Sequence, residues 1–259
     1  MRAADPSTQT LIAIAAALVI GGCDARAGCG DLADQGEGLV VAVVDARSLR
    51  LDDGREIRLA GLEVEPSQQA ATLAAVKELV QGRHVALRGA DDTPDRYGRQ
   101  PSYVVADGEA MSVQARLLQG GHAMVGIGIA QADCRAELLA AEGIARDAKQ
   151  GLWAEPGPLT TAEDTEDLLS RSGRFTLVEG RVVSVREAGS TVFLNFGRRW
   201  TRDFAVTISR RIVGPLGAAG ISPKSLENKR IRVRGWIEKR SGPQIGIRDA
   251  GQIEVTGAR

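Results

Sequence analysis

The sequence predicts an α+β chain, mostly β, built as two small β-barrels in tandem with helices on the first. Three observations carry this. Short β-branched or alternating runs, each ended by a turn signal, recur through residues 39–106 and again through 175–255. Helical apolar spacing appears within and after the first set. Between the two sets, residues 154–172 hold Pro156, Pro158 and a run of Thr, Glu and Asp, which reads as a linker. Charge divides at the same place. Residues 172–259 hold 17 Lys and Arg against 7 Asp and Glu, and residues 1–171 hold 16 against 26. A basic second unit on an acidic first one suits a polyanion; a solvated basic face is the plain alternative.

Taken in order, Leu39–Val44 is a β-branched run and reads as a buried strand. Ser48–Leu51 and Arg55–Leu59 flank Asp53-Gly54, a strong hairpin signal. Pro66 and Ser67 open a helix striped by Leu73, Val76, Leu79 and Val80 and stopped by Gly82. Arg83–Arg88 and Ser102–Ala106 are strands around a polar turn at 91–99. Helices follow at Met111–Gln119 and Cys134–Lys149, and Trp153 closes the unit. Five short strands with these helices make a barrel of the oligonucleotide/oligosaccharide-binding (OB) type. The second unit, 173–257, repeats a five-strand pattern: Phe175–Val185, Thr191–Phe196, Asp203–Ile208, Arg230–Ile237 and Ile245–Val255. It contains all four Phe residues and two of the three Trp residues.

Residues 1–27 read as an export signal, because Arg2 precedes a Leu11–Ile20 apolar run that is short for a membrane span. Two processing readings stand. Ile20-Gly21-Gly22-Cys23 would place a lipid on Cys23 and tie the protein to a membrane; Ala25-Arg26-Ala27 would release a soluble chain starting near Gly28. Either way the expected location is periplasmic. Cys29 and Cys134 remain as an even pair, which in an exported chain reads as a disulfide, with two free buried thiols as the alternative. No Cys/His cluster has zinc spacing, and His84 and His122 each stand alone.

Two motifs carry the chemistry. Arg58-Leu59-Ala60-Gly61-Leu62-Glu63 lies upstream of Asp95-Arg96-Tyr97-Gly98-Arg99, and Gly151-Leu152-Trp153 ends the unit. Together these segments resemble the staphylococcal nuclease-like (thermonuclease) family over residues 38–153, and the second unit resembles the OB-like barrel appended to some exported members. The resemblance implies a Ca2+-dependent phosphodiester hydrolase acting on DNA or RNA. It puts Arg58 and Arg99 on the scissile phosphate, where planar guanidinium forks match phosphate oxygens.

The metal and base positions depart from that pattern. The family's first metal-binding aspartate is Arg47 here, and arginine cannot ligate calcium. Glu63 stands for the second aspartate, Asp45 is a neighbouring carboxylate, Pro66 takes the general base's place, and Glu65 is one residue early. Three readings follow. Glu63, Glu65 and Asp45 hold a metal in a shifted site, with Glu65 as base. Or Arg47, Arg58 and Arg99 form an anion site with hydrolysis weakened or lost. Or the barrel is a non-catalytic envelope interaction module. In the second unit, Arg230, Arg232 and Arg234 alternate on one strand face, and Trp200 is surrounded by Arg198, Arg199 and Arg202. Such interleaving suits single-stranded nucleic acid, or acidic lipid headgroups if Cys23 carries a lipid.

Overall fold

The computed structural model describes residues 28–154 and 157–256; the expected export signal at 1–27, with Cys23, lies outside them. The first barrel closes in the order β1-β2-β3-β6-β5. Strand β1 (Ala33–Asp45) makes closure possible because it serves two neighbours. Its first half pairs with β5 (His84–Gly89), and its second half with β2 (Ser48–Leu51). Gly36, at φ +97°, sits in an irregular step of the β1–β5 register, where the strand turns the corner. β1 starts earlier than its sequence pattern indicates, and it is less buried. Val40 is fully enclosed, whereas Val41 and Val44 are nearly half exposed; the β1–β2 register shifts between Val40 and Ala42 and between Val43 and Asp45, which breaks the strand's in-out alternation.

The Asp53-Gly54 turn joins β2 to β3 (Glu56–Leu59), with Gly54 at φ +89°. β3 then pairs in parallel with β6 (Arg99–Ala106). Leu49, Leu51, Ile57, Leu59, Val85, Leu87 and Val104 fill the interior. A short pair, β4 (Leu62–Glu63) with β7 (Met124–Val125), ties the chain after β3 to the helical side. Helices α1 (Gln69–Val80), α2 (Val113–Gln119) and α3 (Ala132–Asp147) bring Val76, Val80, Leu117 and Leu138 to the same core. Ser112 caps α2 by accepting the Ala115 amide at 3.2 Å. Gly121 and Gly151 let the ends of α2 and α3 touch backbone to backbone. A Cβ on Gly121 would fall 2.2 Å from the Gln150 carbonyl oxygen.

Residues 154–172, expected to be a linker, carry β8 (Leu159–Thr161) and α4 (Thr165–Ser170). β8 joins the second unit's sheet in parallel with β9 (Phe175–Arg181). That unit continues through β10 (Ser184–Ala188), β11 (Thr191–Asn195), β12 (Ala205–Ser209), α5 (Arg210–Ala218), β13 (Arg230–Trp236), β14 (Glu238–Lys239), β15 (Pro243–Ile247) and β16 (Ile253–Val255). Two sheets form, ordered β10-β11-β12-β15-β14 and β16-β13-β9-β8. β9 runs into β10 through Val182 and Val183, and β13 into β14 through Ile237, so two bent strands carry the central pair of one sheet into the two edges of the other. Counting each bent strand once, the pairing repeats the first barrel's order, including a parallel third-to-fifth contact between β12 and β15. The second core holds Leu194, Phe196, Phe204, Val206, Ile231 and Val233.

The units are not separate bodies on a tether. Met124, Ala145, Leu152 and Trp153 of the first pack with Phe175 and Leu177 of the second in one apolar cluster. Beside it, Arg234 reaches from β13 to the α3 residue Glu142, with both side chains fully enclosed.

A three-arginine candidate anion site

Strand alternation places Arg58. Ile57 and Leu59 point into the barrel, so Arg58 faces out, half-buried between Ser48 of β2 and Pro101 of β6. Arg47 belongs to the tight β1–β2 turn. Asp45 Oδ1 accepts the Arg47 amide at 2.7 Å, and the Arg47 carbonyl accepts the Leu59 amide at 2.8 Å. Arg99 opens β6 beside Glu56. The turn before it is organised by Asp95, whose carboxylate accepts the amides of Tyr97 and Arg99 at 2.8 and 3.1 Å and the Arg99 guanidinium at 2.8 and 3.0 Å. Gly98 completes the turn at φ +78°. Tyr97 is 65% exposed, with the Arg96 and Arg99 guanidinium carbons 4.7 and 5.0 Å from its ring centre.

Arg58 differs from its neighbours. Arg99 is held by Asp95 and Arg47 by Glu63, but the Arg58 guanidinium has no hydrogen bond or ion pair among the described residues. Burial depresses its pKa first, then the charges of Arg47 and Arg99, and Asp45 and Asp95 only partly offset them. A half-buried guanidinium without a direct partner of its own, beside two other arginines, is a donor fork that an anion would satisfy.

The metal and base half is arranged differently. Arg47 Nη1 donates to the Leu62 carbonyl at 2.9 Å and to Glu63 Oε2 at 3.1 Å. A guanidinium therefore takes the carboxylate and carbonyl that would face a cation. Asp45 uses Oδ1 to hold its own turn. Glu65 is ion-paired with Arg174 of the second unit, and Pro66 begins a 3-10 turn. Among the described residues, no three His, Cys, Asp or Glu side chains gather closely enough to hold a metal. The donor set does not fit calcium, so no step is drawn through it.

Residues 56–155 match the family model described as staphylococcal nuclease homologue. They form a staphylococcal nuclease-like domain. A search of curated proteins found no match to the chain. The family is calcium-dependent in general, and Arg58 and Arg99 of the nuclease-like domain lie within the matched span. Asp45 and Arg47 precede it.

Cys29 and Cys134 form a disulfide that ties the segment before β1 to α3. In the second unit the expected arginine row needs correction. Arg230, Arg232 and Arg234 do share one face, opposite Ile231 and Val233. That face is covered. Arg232 pairs with Glu179 and Glu254. Arg234, with no exposed side-chain surface, bridges Glu142 and Glu254 and donates to the Val125 carbonyl at 3.0 Å. Only Arg230 remains open to solvent. Trp200 is 64% exposed and lies in the loop between β11 and β12, which belong to a different sheet from these arginines. Sequence reasoning missed Glu142, Glu254 and Arg174. Alternation reveals that two residues share a strand face, and nothing in it says which neighbour covers that face.

Proposed function

We propose that this is an exported nucleic-acid-binding protein. Its nuclease-like domain grips a backbone phosphate of DNA or RNA through Arg58, flanked by Arg47 and Arg99. Phosphodiester hydrolysis is weak or absent. The observation that carries this is the unpartnered Arg58 guanidinium between two other arginines. An incoming phosphate would meet an already desolvated donor fork, and Arg99 could turn one edge from Asp95 toward it. Arg47 stands as a built-in cation beside Glu63, so binding needs no metal. The diversion of Glu65 to Arg174 removes the best available base, and loss of a general base typically lowers rate by about 10²–10⁴. Export rests on the 1–27 signal, and membrane attachment on a lipid at Cys23. The mass of the mature chain separates the two processing routes, since lipidation adds mass at Cys23 and A-x-A cleavage starts the chain near Gly28.

The test is anisotropy of labelled single-stranded DNA and RNA, with calcium and with chelator, across a salt series. Binding should be indifferent to chelator, fall linearly in log–log with salt, and weaken roughly tenfold or more in Arg58→Ala. Chelator-sensitive cleavage that disappears in Arg99→Ala would overturn the loss of hydrolysis. Equal affinity for Arg58→Ala and the parent protein would overturn the anion site.

A further inference from the structure

The basic and aromatic surface of the second unit lies on the sheet away from β13. Across four of its five strands, two rows of side chains line up on the outer face. One row runs Arg186, Phe193, Thr207, Gly246, and the next Ser184, Asn195, Ala205, Gln244. The alternate residues Val192, Leu194, Val206 and Ile208 point into the core, which settles the direction of both rows. Ala205 on β12 is small, so the face is hollow there, while Thr207 and Gly246 line a smaller neighbouring pocket. Two loops wall it. One, between β11 and β12, carries Arg198 and Trp200; the other, between β14 and β15, carries Arg240 and Ser241. The result is a cleft of about 640 Å³, within the range of ligand-binding clefts.

Its chemistry is one-sided. Arg186 lies with its guanidinium carbon 5.9 Å from the Trp200 ring centre and has no ion pair among the described residues. Arg198 also has none, and Arg240 meets only exposed Glu238 at 3.6 Å. Asp203 is the one carboxylate in the lining, and it is used within its own loop, where Oδ2 accepts the Arg199 amide at 2.7 Å. An aromatic floor and wall, amide side chains at Asn195 and Gln244, and three cations therefore face one space.

We infer that this cleft is a second, separate binding site, taking single-stranded nucleic acid with a base stacked on Trp200 and Phe193 and the flanking phosphates on Arg186, Arg198 and Arg240. A polyanion without rings would leave Trp200 exposed, and a duplex would keep its bases from the aromatic floor. The site rests on the reading of the protein as a nucleic-acid binder but not on the three-arginine cluster.

The test is intrinsic tryptophan fluorescence of the full protein, titrated with short oligothymidine and oligouridine. The same-sequence duplex, inorganic polyphosphate and anionic phospholipid vesicles serve as comparators. Single strands should quench. Trp200→Ala, an exposed position safe for folding, should lose the quench and bind roughly tenfold more weakly. Arg186→Ala combined with Arg198→Ala should flatten the salt slope by about 0.7 per arginine. Unchanged affinity in Trp200→Ala would overturn the inference. So would polyphosphate or vesicles binding as tightly as oligonucleotide with the same quench. Arg58→Ala separates the two sites. Weakened binding in Trp200→Ala alone upholds the cleft and sinks the three-arginine site; weakened binding in Arg58→Ala alone does the reverse.

Discussion

Replacing Arg234 by methionine should be among the most damaging single changes in the second unit. The Arg234 guanidinium makes hydrogen bonds to both carboxylate oxygens of Glu142 and to the Val125 carbonyl, each 3.0 Å, and pairs with Glu254. Its Nε–H is a buried donor with no partner among the described residues, so the cation is already imperfectly satisfied. Methionine fills most of the volume and leaves Glu142 fully enclosed. Two donors remain to Glu142, the Val125 amide at 2.6 Å and Arg146 at 3.0 Å. Stranding one half of a buried ion pair costs about 3–5 kcal/mol, and the surviving contacts to Arg146 and Val125 argue for the lower end. Because the pair spans the two units, the loss should appear as a lower denaturation midpoint and as separation of one transition into two. A midpoint drop of about 6–12 °C is expected for about 3 kcal/mol in a chain of this size. The double variant Arg234→Met with Glu142→Gln should recover part of the loss, since it removes the stranded charge. Guanidinium and thermal melts, followed by far-ultraviolet dichroism and tryptophan fluorescence, read both effects. A single variant as stable as the parent, or a double variant losing the sum of the two single changes, would refute the reasoning.

Three further outcomes are expected. Arg47→Asp would put a third carboxylate beside Asp45 and Glu63, so calcium at a hundredfold over its Kd should raise that variant's stability by about 2.7 kcal/mol and leave the parent's melting temperature unmoved; no calcium shift in the variant would mean Arg47 does not hold the cation's place. For Glu254, burial raises the pKa, but the charge and hydrogen bond of Arg234 and the charge of Arg232 outweigh it, and the net direction is down. A depressed carboxyl stabilises fully above its unfolded value and loses that contribution as pH falls through its folded value, so thermal stability should decline on the acid side of the ordinary glutamate range, and less steeply in Glu254→Gln. Converting both Cys29 and Cys134 to serine opens a link across a sequence separation of 105 and should lower stability by about 4–5 kcal/mol, measured as a denaturant midpoint against the oxidised parent.

Much of the architecture was readable because it is local. The Asp53-Gly54 hairpin, the stop at Gly82 and the alternation around Ile57 and Leu59 are decided by a few neighbouring residues. The gathering of Arg58 and Arg99 was implied by the resemblance of their two motifs to the nuclease-like family, and β3 pairs with β6. What escaped is what depends on distant partners. β1 has the composition of a buried strand, but register shifts against β2 leave Val41 and Val44 nearly half exposed. Arg234 has the alternation of a solvent-facing residue, yet α3 closes over it. Glu65 has the position of a near-catalytic carboxylate, yet Arg174, more than a hundred residues later, takes it. A polar residue at a strand position signals only that it avoids its own core; a second unit covering that face is a non-local event.

The apolar cluster shared by Trp153 and Phe175, with the ion network beside it, has a consequence for length discrimination. Two binding surfaces on a flexible tether would reward almost any ligand long enough to be caught twice. Two surfaces fastened through a common core act as a ruler. If both proposed surfaces bind, oligonucleotides shorter than the fixed span between Arg58 and Trp200 would engage one surface at a time, and those that reach both would gain affinity in a step, because the second contact becomes intramolecular. Affinity plotted against oligonucleotide length should therefore show a threshold, and loosening the joint at Arg234 should blur it.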